Sequence, residues 1–271
     1  MPWSRRLPGE RLLVESDGAA VGSRVADRLL EALLAEKPRP LGLATGRTMA
    51  PVYAALRQRL GDLEPVRRRA ALEGWSSFNL DEYVGLGADH PASFHAAMRR
   101  ELGDPLGIPP DALRLPDGAA PDPDREARRY GAALAAAGGI GLQILGLGEN
   151  GHVGFNEPPC APGARTRCVS LQEATRRQNA AAFGGDPERV PQRSITLGLA
   201  EILAAERIVL VVTGASKAAI LRRVLEDPPQ AAVPASWLLA HPDLTVIADR
   251  SALGLSPSPP PAADPRPPGS S

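Results

Sequence analysis

Lysine is almost missing from this chain. Of 31 Lys+Arg residues only Lys37 and Lys217 are lysines, and the rest are arginines. With alanine, glycine and proline so abundant, that bias belongs to GC-rich coding before it belongs to function, yet it marks each lysine for inspection. Net charge is missing too: 31 acidic residues offset the 31 basic ones, and the pI is about 6.9. No global positive field is available to gather nucleic acid or an anionic membrane, although a local basic pocket for a small anion stays open. Cys160 and Cys168 are too few and too close together for the disulfide framework of a secreted protein. The opening MPWSRRLPGERLLVE carries arginines but no apolar core, so it is not read as a signal peptide. No apolar run approaches the ~18 residues of a membrane span. A soluble, cytoplasmic protein is expected, with neither a nucleic-acid nor a membrane partner.

Several chemical signatures are absent as well. The loop at residues 45–48 has neither the Walker A Gly-Lys-Ser/Thr nor the dinucleotide GxGxxG spacing, and the Gly-x-Ser-x-Gly of serine hydrolases is missing from the chain. The four histidines, His90, His95, His152 and His241, are scattered rather than set at zinc-ligand spacing. Arg67, Arg68 and Arg69 form a short basic run, read as a solvated face.

What is present is ample apolar material, 43% of 271 residues, enough for a sizeable core. Residues 256–271, SPSPPPAADPRPPGSS, offer nothing to fill one, and are expected to be a disordered Pro-rich tail. Within residues 1–255, expected to be a single domain, short apolar strands at 40–44, 75–80, 142–147, 207–213 and 244–248 alternate with helical stretches. The helices are expected at 20–35, 49–60, 91–102, 123–137, 172–183 and 216–226, where apolar positions recur at three and four residues. Strands apolar throughout, separated by amphipathic helices, predict a three-layer α/β domain with a mostly parallel sheet covered on both faces. Such sheets bind ligands at the carboxyl ends of their strands, which singles out four loops.

The first, ATGRTMAP, sets Thr45, Gly46, Arg47 and Thr48 between a strand and a helix. Free backbone N–H groups and two hydroxyls there suit an anion, or the segment is a helix cap with a solvent-facing arginine. The second, FNLDEYVGL, presents Asp81 and Glu82 at a strand end. Neighbouring strand residues point to opposite sides, so one carboxylate can face the crevice while the other caps or pairs elsewhere. The third, LGLGENGHVGFNEP, interleaves glycines with Glu149, Asn150, His152, Asn156 and Glu157. An imidazole titrates near neutrality, so His152 is a candidate proton carrier, with Glu157 able to orient or tune it. The fourth, VTGASKAAIL, puts Lys217 in the first turn of a helix, where a cation is disfavoured unless an anion is also bound.

From about Arg11 to Ala248 these segments together resemble the glucosamine-6-phosphate deaminase/isomerase family. The TG-x-T loop, FNLDEYVGL, LGLGENGHVGFNEP and VTGASK carry the likeness; ITLGLAEILAAERIVLVVTG and AAVPASWL are equally similar to the galactosamine-6-phosphate branch. The 6-phosphogluconolactonases of the wider superfamily are less similar, because their histidine loop does not continue into FNEP. The resemblance implies a Rossmann-like fold with a lid around residues 155–185. It also implies conversion of an aminohexose 6-phosphate to fructose 6-phosphate, or its tagatose counterpart, and ammonia, without metal or organic cofactor. Residue by residue it makes Asp81 the base that moves the C2 proton to C1 and His152 the ring-opening group. Glu157 and Asn150 support His152, Glu82 lines the site, and Thr45, Gly46, Arg47, Thr48 and Lys217 hold the phosphate. The chain departs from the family where Asn150 replaces a common aspartate, Arg47 a usual glycine, Ala181 a lid arginine and Val169 an allosteric lysine. With no C-terminal helix after Asp249, a monomer or small homo-oligomer is expected rather than an allosteric hexamer. A non-catalytic sugar-phosphate sensor is the rival from another class, opposed by the joint presence of Asp81, His152 and Glu157.

Overall fold

The computed structural model describes residues 11–256. The expected tail therefore lies outside the described residues except for Ser256, whose carbonyl accepts a 2.6 Å hydrogen bond from Arg250.

In chain order the strands are β1 (Leu12–Glu15), β2 (Leu41–Leu43), β3 (Ser77–Asn79), β4 (Asp81–Tyr83) and β5 (Leu113–Arg114), followed by β6 (Leu142–Gly146), β7 (Arg167–Ser170), β8 (Arg193–Thr196), β9 (Arg207–Val212) and β10 (Leu244–Asp249). The helices are α1 (Gly18–Leu33), α2 (Ala50–Gly61), α3 (Pro65–Glu73), α4 (Phe94–Met98) and α5 (Asp104–Leu106), then α6 (Pro123–Ala136), α7 (Glu173–Asn179), α8 (Leu199–Leu203) and α9 (Ala218–Glu226). Seven strands form one parallel sheet in the order β1-β10-β9-β6-β2-β3-β5, and β4-β8-β7 form a separate antiparallel one. Among the described residues no helix is long and apolar enough to cross a membrane.

Local chemistry sets these elements. Asp17 caps α1 by accepting from the Ala19 and Ala20 amides at 3.0 and 2.9 Å, and Val21, Val25, Leu29 and Leu33 recur on its buried face. Asp122 caps α6 in the same way, with Pro123 at the first position. The central strands β6 and β9 are apolar on both faces and wholly or almost wholly buried, as a doubly covered parallel strand must be. Arg67, Arg68 and Arg69 sit exposed on α3.

Five strands and six helical stretches appear where the periodicity places them, with altered ends. The 91–102 stretch passes from α4 into a π-helical turn, Arg99–Gly103, and the 172–183 stretch ends in a 3₁₀ turn, Ala180–Phe183. α9 starts at Ala218, after a 3₁₀ turn at Ala215–Lys217, so Lys217 stands just before the helix rather than in its first turn.

The chain starts at one edge with β1, crosses to build β2, β3 and β5 outward to the other side, then returns to fill the gap with β6, β9 and β10. The order reverses between β2 and β6, and a crevice opens at such a switch point beyond the carboxyl ends of the strands. Two of the four loops, those after β2 and β6, leave from this point.

Candidate active site

A cavity of about 460 Å³ fills the crevice, and its wall includes Thr45, Gly46, Arg47, Thr48, Asp81, His152 and Lys217. Seven of the ten expected site residues thus meet in one place. Three do not reach it: Glu82, Asn150 and Glu157 stand behind the wall.

Asp81 occupies a bend between the two sheets. Leu80 N donates to Leu43 O at 2.9 Å in the large sheet, and Leu197 N donates to Leu80 O at 2.7 Å. One residue later the chain is in β4, with Asp81 opposite Thr196. The Asp81 carboxylate is 6% exposed and accepts no hydrogen bond from the protein among the described residues. Burial, and after it the charge of Glu82, raises its pKa well above the usual carboxylate range.

Glu82 points the other way, as alternation in a strand requires. It is fully buried and accepts from the Tyr83, Phe94 and His95 amides at 2.8, 3.0 and 2.8 Å, with His95 Nδ1 at 3.1 Å. The expectation that Glu82 lines the site is corrected: it ties the start of α4, a wall of the cavity, to β4.

The imidazole of His152 lies against bare backbone. A Cβ on Gly148 would stand 2.3 Å from the ring, so only glycine allows this packing. Asn150 Oδ1 is 2.6 Å from Nδ1 and also accepts the His152 amide at 3.2 Å. An amide oxygen accepts only, so Nδ1 carries the proton and Nε2 keeps its lone pair. Burial, then the Lys217 charge, pushes the imidazole pKa down to about 4, so the ring is neutral at neutral pH. Replacing Gly148 with alanine is expected to displace the ring and to reproduce the kinetic defect of a His152 substitution. Parallel assays of both variants, with near-ultraviolet circular dichroism as a check on the fold, measure this.

Glu157 does not support His152. Its carboxylate accepts from the Gln172 amide at 2.7 Å and from the Thr175 hydroxyl, anchoring the start of α7. Glu82 and Glu157 therefore play one part twice: each is a buried carboxylate on the amides that open a helix bordering the cavity. α7 and its 3₁₀ turn contribute Gln178, Asn179, Ala181 and Ala182 to the wall. They are held down by a second apolar cluster in which Tyr83 meets Phe94, Phe155 and Phe183 with centroids 4.7, 5.6 and 5.5 Å apart.

At the other end of the cavity Gly46, at φ +145°, turns the chain out of β2. The Lys217 side chain is 13% exposed, 3.8 Å from the Glu149 carboxylate. Burial lowers its pKa; Glu149 opposes that, and the nearby positive charge of Arg47 adds to it. Two cations that repel one another beside two threonines and a glycine turn give this end of the cavity the electrostatic character that suits an anion. Arg100, exposed on the π-helical turn, adds a third cation to the wall. Sequence reasoning missed it; the signal was its place three residues after Ala97, which faces the same cavity. Among the described residues no group of three or more His, Cys, Asp or Glu side chains stands in reach of one metal ion.

Residues 16–247 match the family model described as glucosamine-6-phosphate isomerases/6-phosphogluconolactonase. A glucosamine-6-phosphate deaminase of Streptomyces avermitilis is 43% identical over 244 residues, 89% of this chain and 90% of that protein. One from a Geobacillus species is 40% identical over 247 residues, 90% and 96% of the two chains. Among solved structures, a monomeric glucosamine-6-phosphate deaminase superposes with a TM-score of 0.84 at 34% identity, covering 91% of this chain and 100% of that one. The 6-phosphogluconolactonase of Trypanosoma cruzi, at 20% identity and a TM-score of 0.70 over 90% and 96% of the two chains, shares the fold. The chain belongs to the glucosamine-6-phosphate isomerase/6-phosphogluconolactonase family.

Proposed function

We infer that the chain is a glucosamine-6-phosphate deaminase, which takes up one water and converts its substrate to fructose 6-phosphate and ammonia. One observation carries this beyond kinship. A buried carboxylate with no hydrogen-bond partner among the described residues and a neutral imidazole share a cavity whose far end holds Lys217 and Arg47.

The roles follow from protonation states. His152 Nε2 takes the proton of the anomeric hydroxyl and returns one to the ring oxygen, opening the pyranose. Asp81, a stronger base than a surface carboxylate because it is buried, removes the C2 proton and delivers it to C1. The resulting iminium at C2 is hydrolysed, releasing the nitrogen. Phosphate held by Lys217, Arg47, Thr45, Thr48 and the Gly46 turn fixes the distance to these groups, so remote binding energy supports the proton transfers. Asn150 sets the tautomer of His152. Arg47 takes the part of the cation that Ala181 cannot supply. The segment around 155–185 serves as a lid, and residues 1–255 act as one catalytic domain.

A monomer or small homo-oligomer fits this chain better than a hexamer, in line with the monomeric relative. A cytoplasmic location belongs to the same proposal, since phosphorylated sugars do not cross membranes unaided.

Ammonia release measured side by side with glucosamine 6-phosphate, galactosamine 6-phosphate and their N-acetyl forms tests the function. Fast release from the first supports it. Preference for the second would move the substrate to the galacto series, and silence with all four would leave a sensor. Lys217→Ala is expected to raise KM by about 10- to 100-fold, the worth of a charge-assisted contact. Arg47→Gly is expected to raise it by about tenfold on the same scale. If Arg47→Gly leaves KM and kcat unchanged, the cation that replaces the lid arginine is another one, with Arg100 next in line.

A further inference from the structure

Asn79 has no part in the roles above, yet it stands between the two ends of the site. It closes β3, is 1% exposed, and is held by register with Leu43 and by the Tyr130 hydroxyl, which donates to its carbonyl at 2.8 Å. Its side-chain Nδ2 lies 3.1 Å from Thr45 Oγ1 and 3.2 Å from the backbone carbonyl of Asp81. Its Oδ1 is buried with no hydrogen-bond partner among the described residues.

The orientation of this amide is fixed by chemistry. The Asp81 carbonyl can only accept, so turning the amide over would set oxygen against oxygen. Both N–H bonds are therefore directed, one to Asp81 O and one to Thr45 Oγ1. Thr45 thus receives a hydrogen bond, and its single hydroxyl proton points elsewhere. Thr45 makes no other side-chain hydrogen bond among the described residues, and it lines the cavity with Arg47 and Lys217. A buried acceptor without a partner is unfavourable, so Asn79 is a poor choice for packing alone and a good one for its two donors.

We propose that Asn79 is a positioning residue for the reaction: it makes the Thr45 hydroxyl an obligate donor to the substrate phosphate and braces the phosphate loop against the strand that carries Asp81. This rests on the phosphate reading of the cavity.

The test is a double-mutant cycle of Asn79→Leu and Thr45→Val, read as KM for glucosamine 6-phosphate, kcat, and the inhibition constant of inorganic phosphate. Leucine keeps the branched shape and removes both polar atoms; Asn79→Ala is carried in parallel in case leucine does not fit. Each Asn79 variant is expected to weaken phosphate inhibition and raise KM by about tenfold, with a smaller change in kcat. In the Thr45→Val background the same substitution is expected to cost little more, because the path runs through Thr45. Equal costs in both backgrounds, or unchanged phosphate inhibition in a folded Asn79 variant, would overturn the proposal while leaving the cavity's function intact. Unchanged inhibition in Thr45→Val alone would remove the phosphate reading of that hydroxyl, and the proposal with it.

Discussion

Asp81→Asn is expected to lower kcat by about 10²- to 10⁴-fold, the usual range for loss of a positioned base, with KM nearly unchanged. The amide keeps the shape of the carboxylate and loses its proton acceptor, so binding survives while the transition state does not. Exchange of the C2 proton with deuterated solvent during turnover should stop. Exchange at the wild-type rate would remove Asp81 from this role. Glu82 could not then inherit it, since three amides hold it away from the cavity; Glu101 is the other carboxylate on the wall, paired with Arg57 at 3.1 Å. The acid limb of the kcat/KM profile carries the same assignment. Asp81 must be ionised to act, and its raised pKa places that limb above the ordinary carboxylate range. Glu82 adds to the elevation by like-charge repulsion, so Glu82→Gln is expected to move the limb to lower pH.

His152→Gln is expected to cost about 10²-fold or more with cyclic substrate. A substrate analogue without the C5 hydroxyl, which cannot close to the pyranose, should lose far less. Equal losses on both would place His152 outside ring opening. The same variant has a stability signature. The unfolded imidazole binds its proton below its ordinary 6.5, whereas the folded one resists to about 4. In that window the unfolded state holds more protons, so folding weakens as pH falls. By linkage the loss is about 3 kcal/mol at pH 4. Urea midpoints of wild type should fall between pH 6.5 and 4 more steeply than those of His152→Gln.

Legibility in the sequence followed physical scale. The parallel sheet was readable because β6, β9 and β10 are long, apolar and doubly buried, so hydrophobic runs alone mark them. The second sheet was not. β4 is Asp-Glu-Tyr and β8 is Arg-Ser-Ile-Thr, buried through bonded hydroxyls and one carboxylate held by amides, and no hydropathy pattern announces such a strand. β1 at the sheet edge, two-residue β5, and α3 with its mostly exposed faces escaped for want of a buried stripe. The site loops stood out by their glycines and polar clusters, and their meeting place follows from strand order. The carboxylates were harder to separate. That Asp81 and not Glu82 faces the cavity, and that Glu157 serves α7 and not His152, depends on which way a strand and a loop turn, and residue type does not encode it. Asn79 stayed silent for the same reason: one amide among apolar neighbours acquires meaning only once Thr45 and Asp81 are set beside it.

The bend at Leu80 divides the catalytic parts between two bodies. The imidazole loop and the phosphate loop hang from the large parallel sheet. The carboxylate rides on the small antiparallel one, and α7 follows that sheet's β7, while Glu157, from the imidazole loop, ties the start of α7 back to the large sheet. With the roles proposed for Asp81 and the 45–48 loop, the enzyme is a caliper: one jaw grips the phosphate, the other bears the base, and the span between them gauges the length of sugar that can react.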